Sequence, residues 1–137
     1  MYTSDQPSFI LSASRIIVIG DVHGDIGRLM NSLYSLNIFS KKLEWIAEPK
    51  DTIVVQLGDQ IDSKSRGGDP SWEKIPDIEV IKMMDTLDSI AKNSGGRVLS
   101  LLGNHEIMNV FGSFEYVSEL SSSKITLEHR KKLFEPG

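Results

Sequence analysis

Three short aliphatic runs divide the chain. Arg15–Ile19, Thr52–Leu57 and Arg97–Leu102 are rich in β-branched and aliphatic residues, and a glycine follows each at once. Runs of this length that stay apolar at successive positions predict strands buried in a parallel sheet. After the first run, Leu29, Leu33 and Leu36 recur at helical spacing. After the second, Val80, Ile81, Met84, Leu87 and Ala91 form an apolar stripe, with Glu79, Lys82, Asp85, Asp88 and Lys92 opposite. Asn93-Ser94-Gly95-Gly96 then supplies a helix stop. Further helical stretches are predicted around Glu106–Phe111 and Leu127–Phe134.

The order is β-α-β-α-β, and right-handed crossovers make this an α/β domain, a largely parallel sheet covered by helices. Ser63–Trp72 reads as a loop, Lys41–Lys50 as a polar connection, and Ser121-Ser122-Ser123 as a turn or flexible join. Residues 1–14 read as an N-terminal arm and 15–137 as one domain.

Composition narrows the class only modestly. The 137 residues suffice for a single core. A net charge of -4 and a pI near 5.3 argue against a nucleic-acid partner, which needs a basic patch. The one basic cluster, His129-Arg130-Lys131-Lys132, falls on a short helical segment and reads as a solvated face. Without cysteine there is neither a disulfide framework nor a thiolate metal site. No run is long enough to span a membrane. Phe9-Ile10-Leu11 makes a poor signal peptide, because Arg15 interrupts the apolar stretch and Asp5 sits where basic residues belong. Cytoplasmic placement is the expectation.

Chemistry gathers at the strand ends. The three runs lead into Gly20-Asp21-Val22-His23-Gly24-Asp25, Gly58-Asp59-Gln60-Ile61-Asp62 and Gly103-Asn104-His105-Glu106. Ligands of parallel α/β sheets collect at the carboxyl ends of strands, so these side chains should converge. Each leading glycine would allow a sharp turn and a close approach. Taken singly, Asp-x-His or Gly-Asp is a turn signal, and Asn104 with Glu106 could simply open a helix. All three in order, each after a strand, favour a site. Carboxylate, imidazole and carboxamide donors without sulfur suit Mn, Fe or Zn. A carboxylate can bridge two such ions, and a pair about 3.5–4 Å apart serves in-line attack at phosphorus.

These three motifs resemble the GDxHG, GDxxD and GNHE signatures of calcineurin-like metallophosphoesterases, in their phosphoprotein-phosphatase branch. Leu101–Val110 followed by Gly112–Val117 is similar, more narrowly, to Shewanella-like phosphatases, and the likeness covers roughly residues 15 to 137. The resemblance implies hydrolysis of phosphate monoesters by a metal-bound hydroxide at a dinuclear centre of divalent transition metals, Mn first among them in vitro. Asp21 and His23 would bind the first metal, Asp59 would bridge, and Asn104 would bind the second. His105 would be the general acid, with Asp62 holding its orientation. The substrate would be a phosphorylated protein or a small phosphoester, with no membrane or nucleic-acid partner.

Two departures qualify the likeness. The family follows the second aspartate of its middle motif with a phosphate-clamping arginine, where this chain has Ser63; Arg66 is the candidate replacement. The family also completes its second metal with two histidines from the later half of the domain. This chain has three histidines in all, and His129 reads as a surface residue. The chain therefore reads as the N-terminal half of a catalytic domain, weakly active or inactive alone. Diester or dinucleotide-polyphosphate cleavage is the alternative reaction, and a non-catalytic metal- or phosphate-binding module is the alternative class.

Overall fold

The three aliphatic runs form the strands of one parallel sheet in a computed structural model that describes residues 12–66 and 73–135. Most of the expected N-terminal arm and the tip of the Ser63–Trp72 loop lie outside the described residues. The strands are β1 (Ile16–Ile19), β2 (Ile53–Gln56) and β3 (Arg97–Ser100), with β2 in the centre. In register, Val18 lies beside Val55 and Val55 beside Leu99, so the three strands end level. That alignment delivers all three motifs to one edge of the sheet.

Helix α1 (Ile26–Ser35) follows β1. Asp25, the last residue of the first motif, caps it by accepting the Arg28 N–H at 2.9 Å. Leu29, Met30 and Leu33 are buried, while Leu36 stands just past the helix end and is exposed, so the expected stripe stops one turn early. Helix α2 (Ile78–Asn93) buries Val80, Ile81, Met84, Leu87 and Ala91 as its spacing predicted, and Gly95 follows in a left-handed conformation. Leu33, Met84 and Leu87 meet Val54 and Val98 of the sheet in the main core.

Only one face of the sheet is packed this way. Side chains alternate along a strand. Ile17, Ile19, Val54 and Val98 turn toward the helices, whereas Ile16 and Val18 are 60% and 59% exposed. By the same alternation Leu57 and Leu101 lie on the bare side, and both are exposed. Among the described residues, the expectation of buried strands fails for one face of β1. A continuous apolar run records what a position tolerates, and the described helices cover one side alone.

Three further expectations need correction. The polar connection Lys41–Lys50 contributes to the core: Trp45 and Ala47 are buried, with the Trp45 ring edge-on to Phe39 at 5.2 Å. Ser121–Ser123 is no flexible join but part of helix α4 (Glu119–Lys124), capped by Ser118. Ser121 is fully buried and accepts the Asp77 N–H at 3.0 Å. Before α4 comes α3 (Asn104–Val110), and after it α5 (Leu127–Lys132). His129 is exposed on α5 as expected, but the solvated-face reading of its neighbours is wrong for Arg130, which is wholly buried.

Candidate active site

The three strand-end loops are tied to one another by backbone bonds. The N–H groups of Val22 and His23 donate to the Asp59 carbonyl at 3.0 and 2.9 Å, and that of Gly24 donates to Gln60 O at 2.8 Å. The second and third loops touch so closely that a Cβ on Gly58 would lie 2.1 Å from the Gly103 nitrogen. Gly58 also has φ +95°, so glycine is required there twice over. Gly20, by contrast, has open space around it and no left-handed φ; the first motif's leading glycine answers no such demand.

Glu106 closes this junction. Fully buried, its carboxylate accepts from the N–H groups of Asp59, Gln60 and Gly103, each at 2.8 Å. The helix opens at Gly103 rather than at Asn104, and Glu106 reaches back to it as the side-chain half of a capping box. His23, Asp59 and Asp62 have φ of 46°, 54° and 66°. Left-handed backbone costs a non-glycine residue on the order of 1 kcal/mol or more, and it clusters at functional sites.

On one side of the site lie the expected metal ligands. Ligand atoms of His23, Asp59 and His105 all fall within 4.8 Å of one another. His23 Nδ1–H donates to the Ile61 carbonyl at 2.9 Å, which leaves Nε2 as the ligating nitrogen, 3.6 Å from Asp21 Oδ2. The Asn104 carboxamide lies 2.9 and 3.3 Å from the two Asp59 oxygens. Its NH₂ satisfies that contact when no cation is present, and its oxygen would face the carboxylate if a cation were shared. The clustered imidazole and carboxylate donors of His23 and Asp59, with Asp21 and Asn104 next to them, are of the type that suits a divalent metal.

On the other side lies His105, 5% exposed. Its Nδ1–H donates to Asp62 Oδ2 at 2.9 Å, and its Nε2 accepts from Arg66 Nη2 at 2.9 Å. Asp62 is wholly buried and held on every side. Asn109 Nδ2 donates to both its oxygens at 3.0 Å, Arg130 Nη2 donates to Oδ1 at 2.9 Å, and the Asp62 N–H donates to Asp77 Oδ2 at 2.8 Å. Burial disfavours the Arg130 guanidinium, but bonding and charge from Asp77 and then Asp62 outweigh it, leaving its pKa above the ordinary value.

Arg66 also lies over the Tyr116 ring, 5.6 Å from its centroid, and that ring meets His105 edge-on at 5.1 Å. Ser63, at the position of the family's clamp, donates instead to Glu73. A carboxylate neighbour rules Ser63 out as an anion clamp.

Of the seven residues singled out from the sequence, His23, Asp59 and His105 bring donor atoms together, and Asp62 and Arg66 bond the His105 ring. Asn104 touches Asp59, and Asp21 stands beside His23 outside that cluster. Five others were missed as site-shaping residues. Asn109 stands one helical turn after His105 on the same face of α3, and Arg130 one turn before the buried Phe134. Those i, i+4 relations were the available signal. Glu106 was legible as a first-turn residue but not as a clasp, and neither Asp77 nor Tyr116 announces its partner in sequence.

The profile of the calcineurin-like phosphoesterase family matches residues 14–135. Shewanella-like protein phosphatase 2 of Arabidopsis thaliana is 32% identical over 105 residues, covering 77% of this chain and 24% of that protein. Shewanella-like protein phosphatase 1 of Plasmodium berghei is 35% identical over 104 residues, covering 76% and 25%. The crystal structure of a cold-active protein-tyrosine phosphatase from a psychrophilic Shewanella species superposes with a TM-score of 0.72 at 27% identity, over 97% of this chain and 38% of that one. The chain spans about a quarter of the length of these curated relatives. It belongs to the calcineurin-like phosphoesterase family, and its relatives are Shewanella-like protein phosphatases.

Proposed function

We propose that this chain supplies the metal-binding and proton-donating part of a phosphomonoester hydrolase. One observation carries the reading: donor atoms of His23 and Asp59 meet His105 within 4.8 Å, with Asp62 behind the His105 ring. Asp21 and His23 would hold one divalent ion, Asp59 would bridge to a second, and Asn104 would bind that second ion. Such a pair, Mn, Fe or Zn, supplies Lewis acidity toward the phosphoryl oxygens and activates water.

The chain's own side chains do the rest. A water oxygen bonds to phosphorus as the bond from phosphorus to the leaving oxygen breaks. Once Arg66 has moved off, His105 Nε2 takes up a proton from solvent and gives it to that leaving oxygen, releasing an alcohol or phenol. The attacking water gives up a proton to solvent, and inorganic phosphate forms. Arg66 holds Nε2 in the structure described here, so it must leave that atom for His105 to donate. The departing guanidinium is then placed to meet the phosphate, in the role that Ser63 cannot fill.

The names of the relatives favour phosphoprotein substrates, with phosphotyrosine among them. Among the described residues no helix is long and apolar enough to cross a membrane. The family's further histidine ligands have no counterpart among His23, His105 and His129, so turnover by the 137 residues alone should be weak.

The test is elemental analysis and p-nitrophenyl phosphate hydrolysis with Mn²⁺. The chain should bind Mn²⁺ and show slow turnover, with both lost in Asp59→Asn. Undiminished metal binding by Asp59→Asn would overturn the reading. A chain that binds metal normally but supports no turnover, even with the length its relatives have, would indicate a non-catalytic module.

A further inference from the structure

Arg130 is a cation wholly buried among polar partners, a costly arrangement. Its Nη1 and Nη2 donate to the two oxygens of Asp77 at 2.7 and 2.8 Å, and Nη2 also donates to Asp62 Oδ1 at 2.9 Å. Its Nε donates to Asn109 Oδ1 at 2.8 Å. Each of these partners leads back to His105. Asp62 holds the ring at Nδ1, Asn109 binds Asp62 and the His105 carbonyl, and Asp77 accepts the Asp62 N–H. One guanidinium thus bonds Asp62 itself and two of the groups that hold it, Asp77 and Asn109.

Burying an ion pair is weak grounds for stability, and the segment has a separate apolar anchor. Phe134, four residues on, packs with Ile61, Ile78 and Ile81. Docking of α5 therefore does not need a charge.

We infer that Arg130 is a positioning residue, which acts through Asp62 to fix the direction in which the His105 ring presents Nε2. The role rests on the reading of His105 as proton donor. The planar fork matters because a lysine ammonium cannot reach Asp62, Asp77 and Asn109 together.

The test is an NMR measurement of the His105 ring in the ¹⁵N-labelled chain, following exchange of its Nδ1 proton with water. Two variants are compared. Arg130→Lys should still melt cooperatively, but the Nδ1 proton should exchange at least about tenfold faster, the scale of one weakened charge-assisted bond. Phe134→Ala should lower the melting temperature and leave the His105 signal where it was.

If Arg130→Lys fails to fold, the double variant Arg130→Gln/Asp77→Asn, which removes opposite charges together, carries the same readout. An unchanged Nδ1 proton in the folded Arg130 variant overturns the inference. So does an equal change in Phe134→Ala at matched stability, which would make Arg130 a structural staple. If the His105 signal responds but His105→Asn leaves alkyl phosphate hydrolysis intact, the positioning role stands and the proton-donor reading falls.

Discussion

On one side of this site His105, Asp62, Asn109, Asp77 and Arg130 are buried and hydrogen-bonded to one another. Across from them Asp21 and Asn104 are exposed, and His23 and Asp59 are half-buried. The first group is complete from the chain's own atoms. The second is a looser set of donors, of which His23 and Asp59 come close together while Asp21 and Asn104 flank them. On the proposed reading the first side holds a proton donor, which must keep one direction, and over-determination serves that. The second side, on the same reading, would have to stay accessible to ion and substrate, and its side chains are held by their backbones instead. Left-handed His23 and Asp59, zipped together through the Asp59 carbonyl, are that backbone support.

Substitutions on the buried side should therefore cost folding energy, and those on the open side metal affinity. The largest effect is expected for Arg130→Ala, which strands two buried carboxylates. It should lower the unfolding free energy by about 3–5 kcal/mol in urea titration. A loss comparable to an exposed pair, under about 1 kcal/mol, would mean that water reaches this cluster and would erase the contrast.

Glu106→Gln comes next, because it straddles the two sides. The amide keeps a single acceptor oxygen for three N–H groups, at about 1–3 kcal/mol for each donor left unsatisfied. Mn²⁺ affinity by calorimetry should fall as well, since Asp59 loses its backbone hold. If stability fell and affinity held, Glu106 would belong to the fold alone.

On the open side, His23→Asn keeps a residue that tolerates left-handed backbone and removes the ligating nitrogen. Bound Mn²⁺ at 100 times its dissociation constant should add about 2.7 kcal/mol to the parent chain. That increment should vanish in His23→Asn while metal-free stability changes little, and thermal melts with and without Mn²⁺ read both. The smallest effect on folding is expected from Asp21→Ala, within about 0.5 kcal/mol, with weaker Mn²⁺ binding as its only signature. Unaltered Mn²⁺ affinity would remove Asp21 from the ligand set.

The motif residues were the legible ones, the Asp62–His105 pair of the buried side included. Asp21, His23, Asp59 and Asn104 sit in contiguous motifs whose spacing from the strands is itself the signal. The buried side is assembled from residues far apart in the chain, Asp62 and Arg130 being 68 positions distant. Local pattern carries no record of such a contact. Arg130 in particular lies in a run of basic residues, and charge runs usually face water; here the helix turns one of them inward. The strands were legible as strands, but apolar content could not say which face the described helices would leave bare.

That bare face has a practical consequence for anyone handling the chain. Among the described residues, Ile16, Val18, Leu57 and Leu101 stand exposed on the side of the sheet away from the helices. A net charge of -4 offers little electrostatic repulsion against two such faces meeting. Colloidal behaviour should therefore depend on protein concentration, and metal stoichiometry should be measured in dilute solution.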